Sequence, residues 1–222
     1  MKTKWIILII SIIFSLILYN IISLFIEDKF YDSDYFNIEV IKSEIDYNEN
    51  GIDDYTDIVN GAILEGKKRP TYRSKYYSEG YPPEDEGVCT DLIWRSLKYA
   101  GYDLKEMIDK DIEENIEEYP RIKVQDKNID FRRVYNLHVF LKRNTLSLTV
   151  DINKIEEFQP GDILVFEKDK HIGIVSNKRN KKGIPYLLHH TSSISNRISY
   201  LEEDILEDYK IIGHFRFKLK DK

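Results

Sequence analysis

Trp5 to Ile26, "WIILIISIIFSLILYNIISLFI", runs for 22 residues without a charged side chain. Only Asn20 and three serines interrupt its apolarity. As a helix, such a run covers about 30 Å, the depth of a bilayer's hydrocarbon core. A core helix of a globular domain keeps a polar face, and none is present here. A secretory signal has a shorter apolar region and small residues at a cut site, and no Ala-x-Ala pattern is present. The expectation is an uncleaved transmembrane signal-anchor at 5–26. Lys2 and Lys4 precede it, and Glu27 and Asp28 follow. The positive-inside rule then makes 1–4 a cytoplasmic tip and puts 27–222 outside the cell membrane.

That exterior part holds 31 basic and 39 acidic residues, a balance of −8 once Lys2 and Lys4 are set aside. An acidic domain repels phosphate, so no nucleic-acid partner is expected. With 42 % apolar and 32 % charged residues, the chain has enough material for a packed core. Exterior proteins use cysteines in pairs, yet Cys89 stands alone. It is therefore either a buried bystander or a reactive thiol.

Residues 27–45 read as a connector turning helical, and 46–64 as a calcium-loop-like motif with a helix. Residues 65–86, rich in Tyr, Pro and charge, read as an irregular loop. Helical spacing of Leu92, Ile93, Leu97 and Ala100 predicts a helix over 89–100, stopped by Gly101. Further helices are expected over 103–118 and 134–143. The period then changes to two in "DILVFEK", "HIGIVSNK", "IPYLLHH" and "YKIIGHFRFKL". Helices followed by strands predict an α+β fold with an antiparallel sheet, and a monomeric domain over 65–222.

Cys89 falls at a helix start, where unpaired backbone N–H groups favour a thiolate. A cysteine nucleophile needs a base, and His171 opens a strand about eighty residues on. The "EKDK" turn pairs that strand with the one before it. A third group must orient the imidazole, and "YLLHH" offers His189 and His190. Strand alternation lets only one of the two point toward His171, and pattern alone does not choose.

"GVCTDLIWRSLKYAG", "QPGDILVFEKDKHIGIVS" and "YLLHH" together resemble the NlpC-type papain-like cysteine peptidases of bacterial cell walls. The resemblance implies a papain-like fold with the nucleophile at Cys89, the base at His171 and the orienting residue at His189. Across "YPPEDEGVCTD", "NIDFRRVYNL", "QPGDILVF", "HIGIVS" and "IIGHFRF" the chain is similar to one bacterial branch, domain of unknown function 1287. The similarity covers about residues 46–217. The chain departs from the wider superfamily in lacking "Asp-Cys-Ser-Gly" before the thiol and in its long "SNKRNKKG" turn. No catalytic cofactor is implied.

The chemistry expected is acyl transfer by a membrane-anchored exterior cysteine amidase or endopeptidase acting on peptidoglycan stem peptides or similar amides. One alternative is a catalytically silent papain-like module that binds cell-envelope material. Another is a tethered calcium-dependent adhesion protein. Asp130, Arg132 and Arg133 in "NIDFRRV" form a candidate substrate site, since adjacent guanidinium groups suit a carboxylate. The other reading of that stretch is a salt-bridged helix start. Finally, "DYNENGIDDYTD" spaces Asp46, Asn48, Asn50, the Ile52 carbonyl, Asp54 and Asp57 as a twelve-residue calcium loop, with Gly51 at the bend. The other reading is an Asx-rich turn without metal. A structural calcium there is expected to tie the connector to the catalytic domain.

Overall fold

The computed structural model describes Trp5, residues 9–18 and residues 30–219. Trp5 and 9–18 are helical, and the rest of the expected 5–26 span lies outside the described residues, as does the 1–4 tip. Among the described residues no helix is long and apolar enough to cross a membrane. The chain divides into two compact units, Met1–Phe30 and Tyr31–Lys222.

The second unit is α+β. Helix α1 (Asp54–Lys68) starts where Asp53 accepts the Thr56 N–H, and it ends at Arg69 in the left-handed region. Strands β1 (Thr71–Tyr72) and β2 (Glu86–Gly87) pair in parallel and lead into α2 (Cys89–Tyr99). Gly101, at φ +92°, ends that stretch. Helix α3 is Leu104–Glu114 and α4 is Val134–Asn144. Strands β3 (Leu146–Ser147), β4 (Ile163–Phe166), β5 (Ile172–Arg179) and β6 (Pro185–Leu188) come next. The last elements are α5 (Ile194–Ile198), β7 (Glu202–Glu203) and β8 (Ile211–Arg216). Six strands form one antiparallel sheet in the order β3-β8-β4-β5-β6-β7.

Alternation along the strands divides the core. Ile163, Val165, Ile172, Ile174, Leu188 and Phe215 face Ile93 and Leu97 of α2 and Leu137 and Phe140 of α4. Leu164, Phe166, Val175, Leu187 and Ile211 face the other way, against Phe158, Ile184 and Leu206.

Two sequence expectations are corrected here. The connector does not become helical: after a single 3-10 turn at Asp34–Phe36 it runs as an extended strap. Its backbone bonds go elsewhere, from Tyr31 N–H to the Arg179 carbonyl (2.8 Å) and from Ile41 N–H to Gln159 Oε1 (3.0 Å). The helix expected over 103–118 breaks after Glu114 and resumes as a 3-10 turn at Ile116–Glu118, ahead of Tyr119-Pro120.

Two buried carboxylates fix the elements that carry the site. Asp162 accepts from His214 Nε2 (2.9 Å), from Arg216 Nε and Nη2 (both 2.8 Å) and from Gln159 N–H (2.9 Å). It thereby holds the Gln159–Gly161 turn that launches β4. Gly161 has φ +89°, and a Cβ there would lie 2.7 Å from the Tyr55 carbonyl, so the turn is pressed onto α1. Asp91, in the first turn of α2, accepts from Val88 N–H (2.7 Å), Trp94 Nε1 (2.8 Å), Arg132 Nε (2.7 Å) and Arg132 Nη2 (2.8 Å). Arg132 Nη1 donates on to the Lys75 carbonyl (2.9 Å).

Removing one member of a buried ion pair strands the other charge, at a cost of about 3–5 kcal/mol. Asp91→Ala is therefore expected to lower the unfolding free energy by about that amount in urea titrations. A loss below about 1 kcal/mol, the size typical of an exposed pair, would contradict the role given to Asp91.

Candidate active site

Cys89 is the first residue of α2, and it is 6 % exposed. The helix packs on β5, and the Ile172 N–H lies close enough to the thiol to favour its charged form. His171 is the residue before Ile172, so the strand beside the thiol also carries the imidazole. Lys168 and Asp169, both at positive φ, make the tight turn that brings the chain from β4 back to His171.

His171 Nε2 lies 2.8 Å from His189 Nδ1, and the two rings meet at 83° with centroids 5.0 Å apart. Of the two histidines left open by the sequence, His189 is the one beside His171. His189 Nε2 in turn lies 2.9 Å from Glu203 Oε2 on β7. Ser195 Oγ of α5 donates to Glu203 Oε1. Burial works to raise the Glu203 pKa, but bonds from His189, Ser195 and Asn196 outweigh it and hold the carboxyl below its ordinary value. With Glu203 ionised, the His189 nitrogen that donates to it is Nε2. Its Nδ1 is then an acceptor, and the His171 proton sits on Nε2. This leaves the His171 Nδ1 lone pair free to act as a base.

The resting charges differ from the sequence expectation. Burial pushes the Cys89 thiol up to about 11, with Asp91 adding to the rise, despite the opposing pull of the Ile172, Thr90 and Cys89 N–H groups. Burial also lowers His171 to about 4, with His189 and His190 acting in the same direction. Proximity to a helix start therefore does not make a thiolate here. The resting pair is neutral thiol and neutral imidazole, because desolvation disfavours the charged form of each.

His190 packs against Tyr72 and is not part of the His171–His189 pair. Its ring meets Tyr72 edge-on at 5.3 Å and bonds the Pro70 carbonyl, while Nε2 is buried without a partner. Burial lowers it to about 4. Tyr72 neighbours the thiol: its hydroxyl is held above the ordinary value by burial first and by Cys89 next.

The expected two-arginine fork is corrected. Arg132 is 6 % exposed and engaged by Asp91, while Asp130 is 5 % exposed and accepts the Asp126 N–H (2.7 Å). Arg133 alone reaches solvent, 3.8 Å from Asp130. All three line a groove of about 750 Å³ with Arg121, Lys123 and Asp169. Asp169 stands two residues before His171, so the groove adjoins the turn that delivers the imidazole. His138 and His214 are bonded to Asp169 and Asp162, and both serve the fold. Glu203, Ser195, Asn196 and Tyr72 escape a reading of the sequence. They lie in two-residue strands or a five-residue helix, too short for any period to register.

Among the described residues no three His, Cys, Asp or Glu side chains stand together as a metal-binding group. In the acidic loop, Asp54 is turned away from the centre: it accepts the Tyr47 N–H (2.9 Å) and the Tyr102 hydroxyl (2.5 Å).

In the unfolded chain a histidine binds a proton below about pH 6.5, whereas folded His171 and His190 do so only below about 4. The unfolded state binds more protons in that window, so stability falls as pH drops through it. His190→Gln is expected to shrink the loss of urea midpoint between about pH 6.5 and 4.5 relative to the parent chain. An unchanged loss would contradict a buried neutral His190.

No solved structure matches the chain. It is 32 % identical over 176 residues to "Uncharacterized protein YijF" of Escherichia coli (strain K12), a match covering 72 % of this chain and 83 % of that protein. Residues 59–217 match the family described as Domain of unknown function (DUF1287). The matched region takes in Cys89, His171, His189 and Glu203, and the chain belongs to this family.

Proposed function

We propose that the domain is a cysteine amidase or endopeptidase acting on cell-wall peptides or similar amides, held at the outer face of the cell membrane by residues 5–26. The observation that carries this reading is the series Glu203–His189–His171, whose last ring belongs to the residue before Ile172, the backbone that lies against the Cys89 thiol. The nucleophile helix packed on an antiparallel sheet also supports a papain-like, NlpC-type fold.

The neutral resting pair dictates the chemistry. Sγ attacks the amide carbonyl carbon as its proton passes to His171 Nδ1, so no standing thiolate is needed. Backbone N–H groups at the start of α2 stabilise the oxyanion. The imidazolium gives its proton to the leaving amine, and a thioester remains on Cys89. Water, deprotonated by the same Nδ1, releases the acid and restores the thiol. Glu203, through His189, stabilises the transient positive charge on His171; its carboxylate favours the charged form of that ring. Arg133, exposed on the neighbouring groove, is the side chain left to meet a substrate carboxylate.

The burial of Cys89 favours one other reading, a silent binding module of the same fold. Mass spectrometry of muropeptides incubated with the full chain separates the two. New cleavage products are expected from the parent and none from Cys89→Ala. His171→Ala is expected to lose about 10²–10⁴-fold in rate. Equal turnover by Cys89→Ala would overturn the assignment, and tight muropeptide binding without products from any variant would favour the module.

A further inference from the structure

The function proposed above makes no use of the acidic loop, yet that loop contains an unmatched buried charge. Asp57 is fully buried, and its Oδ1 has no hydrogen-bond partner. Leaving a buried carboxylate oxygen unpaired is costly, and a cation is the partner that satisfies it best. The other oxygen, Oδ2, accepts from both Asn48 Nδ2 and Asn50 Nδ2 at 2.8 Å, so the carboxylate faces the inside of the loop.

The rest of the loop is shaped around that point. Asp46 accepts the Asn50 N–H (3.1 Å) and the Gly51 N–H (2.7 Å), which fold the chain back over its own carboxylate. Gly51, at φ +87° with open space around it, makes the bend. The amide oxygens of Asn48 and Asn50 each accept one backbone N–H, from Asn50 (3.1 Å) and Ile52 (2.8 Å), and keep a second lone pair. Asp54 is already committed to Tyr47 and Tyr102.

We propose that residues 46–57 bind a calcium ion through Asp46, Asn48, Asn50, the Ile52 carbonyl and Asp57, and that this ion fastens the far end of the nucleophile helix. The donors are all oxygen, which suits a hard cation. With only two carboxylates among five donors, the affinity belongs to the weak class, about 10⁻⁴–10⁻³ M, that exterior calcium fills. The site sits against the end of α2: Asn48 Nδ2 also donates to the Tyr99 carbonyl (3.0 Å), and Tyr47 stacks on Tyr102 with ring centroids 4.3 Å apart. A Cβ at Gly101 would come within 3.0 Å of Asn48 Cβ, so the loop touches the chain where α2 stops. Ordering the loop therefore orders the helix that begins with Cys89, independently of what Cys89 does.

The test uses the full chain, stripped of metal by chelator and titrated with calcium alone. A saturable rise in Tm with a near-millimolar midpoint is expected. Terbium, sensitised by Tyr47, should luminesce and be displaced by calcium. Asp57→Asn should abolish both signals. If that variant fails to fold, half-buried Asp46→Asn, whose carboxylate bonds only within the loop, should weaken apparent calcium affinity about tenfold or more. No Tm response at millimolar calcium, or a terbium signal that survives Asp46→Asn undiminished, would overturn the site.

Discussion

The carboxylate of Asp91 is where the structure is held. It receives four N–H groups, one each from Val88 and Trp94 and two from the Arg132 fork, all inside the protein. That one group ties the start of α2 to the stretch before α4. Through Arg132 it also reaches the Lys75 carbonyl in the long approach loop. The Thr90 hydroxyl, bonded to the Arg132 carbonyl, adds a second link beside the thiol. A buried ion pair is rarely a net source of stability against a hydrophobic alternative, but it does specify geometry. Here the geometry specified is the position of Cys89 over β5.

A second polar series works through proton position. Glu203 sets the His189 tautomer, and His189 sets that of His171. Each step needs burial, because water at either ring would offer competing partners. The same burial raises the thiol and lowers the His171 imidazole, so both groups stay uncharged near neutral pH. Serving one end of this series, α5 is only five residues long; Ser195 bonds Glu203, and Asn196 donates to the His189 carbonyl (2.9 Å).

Period and punctuation set what a sequence displays. Cys89 at a helix start, His171 at a strand start and the Gly101 stop are all legible, because amphipathic period and glycine mark them locally. The connector misleads because its apolar residues, Phe36 and Ile38 among them, mimic helical spacing while serving an extended strap. Arg132 looks like a substrate group because its partner lies 41 residues away, and a sequence does not display such a pairing. Glu203 is invisible for the same reason: one glutamate in "LEED" looks like any other until β7 pairs with β6 and brings it to His189. The thiol's charge is misjudged because a helix start is visible in a sequence and burial is not.

The most direct measurement is ¹⁵N NMR of the imidazole rings in the full chain at neutral pH, which needs no substrate. The expected result is a neutral His171 with its proton on Nε2 and Nδ1 bare, a pattern that weakens when Glu203 is replaced by Gln. A His171 proton resting on Nδ1, or a tautomer indifferent to Glu203, would contradict a proton relay that ends at Cys89.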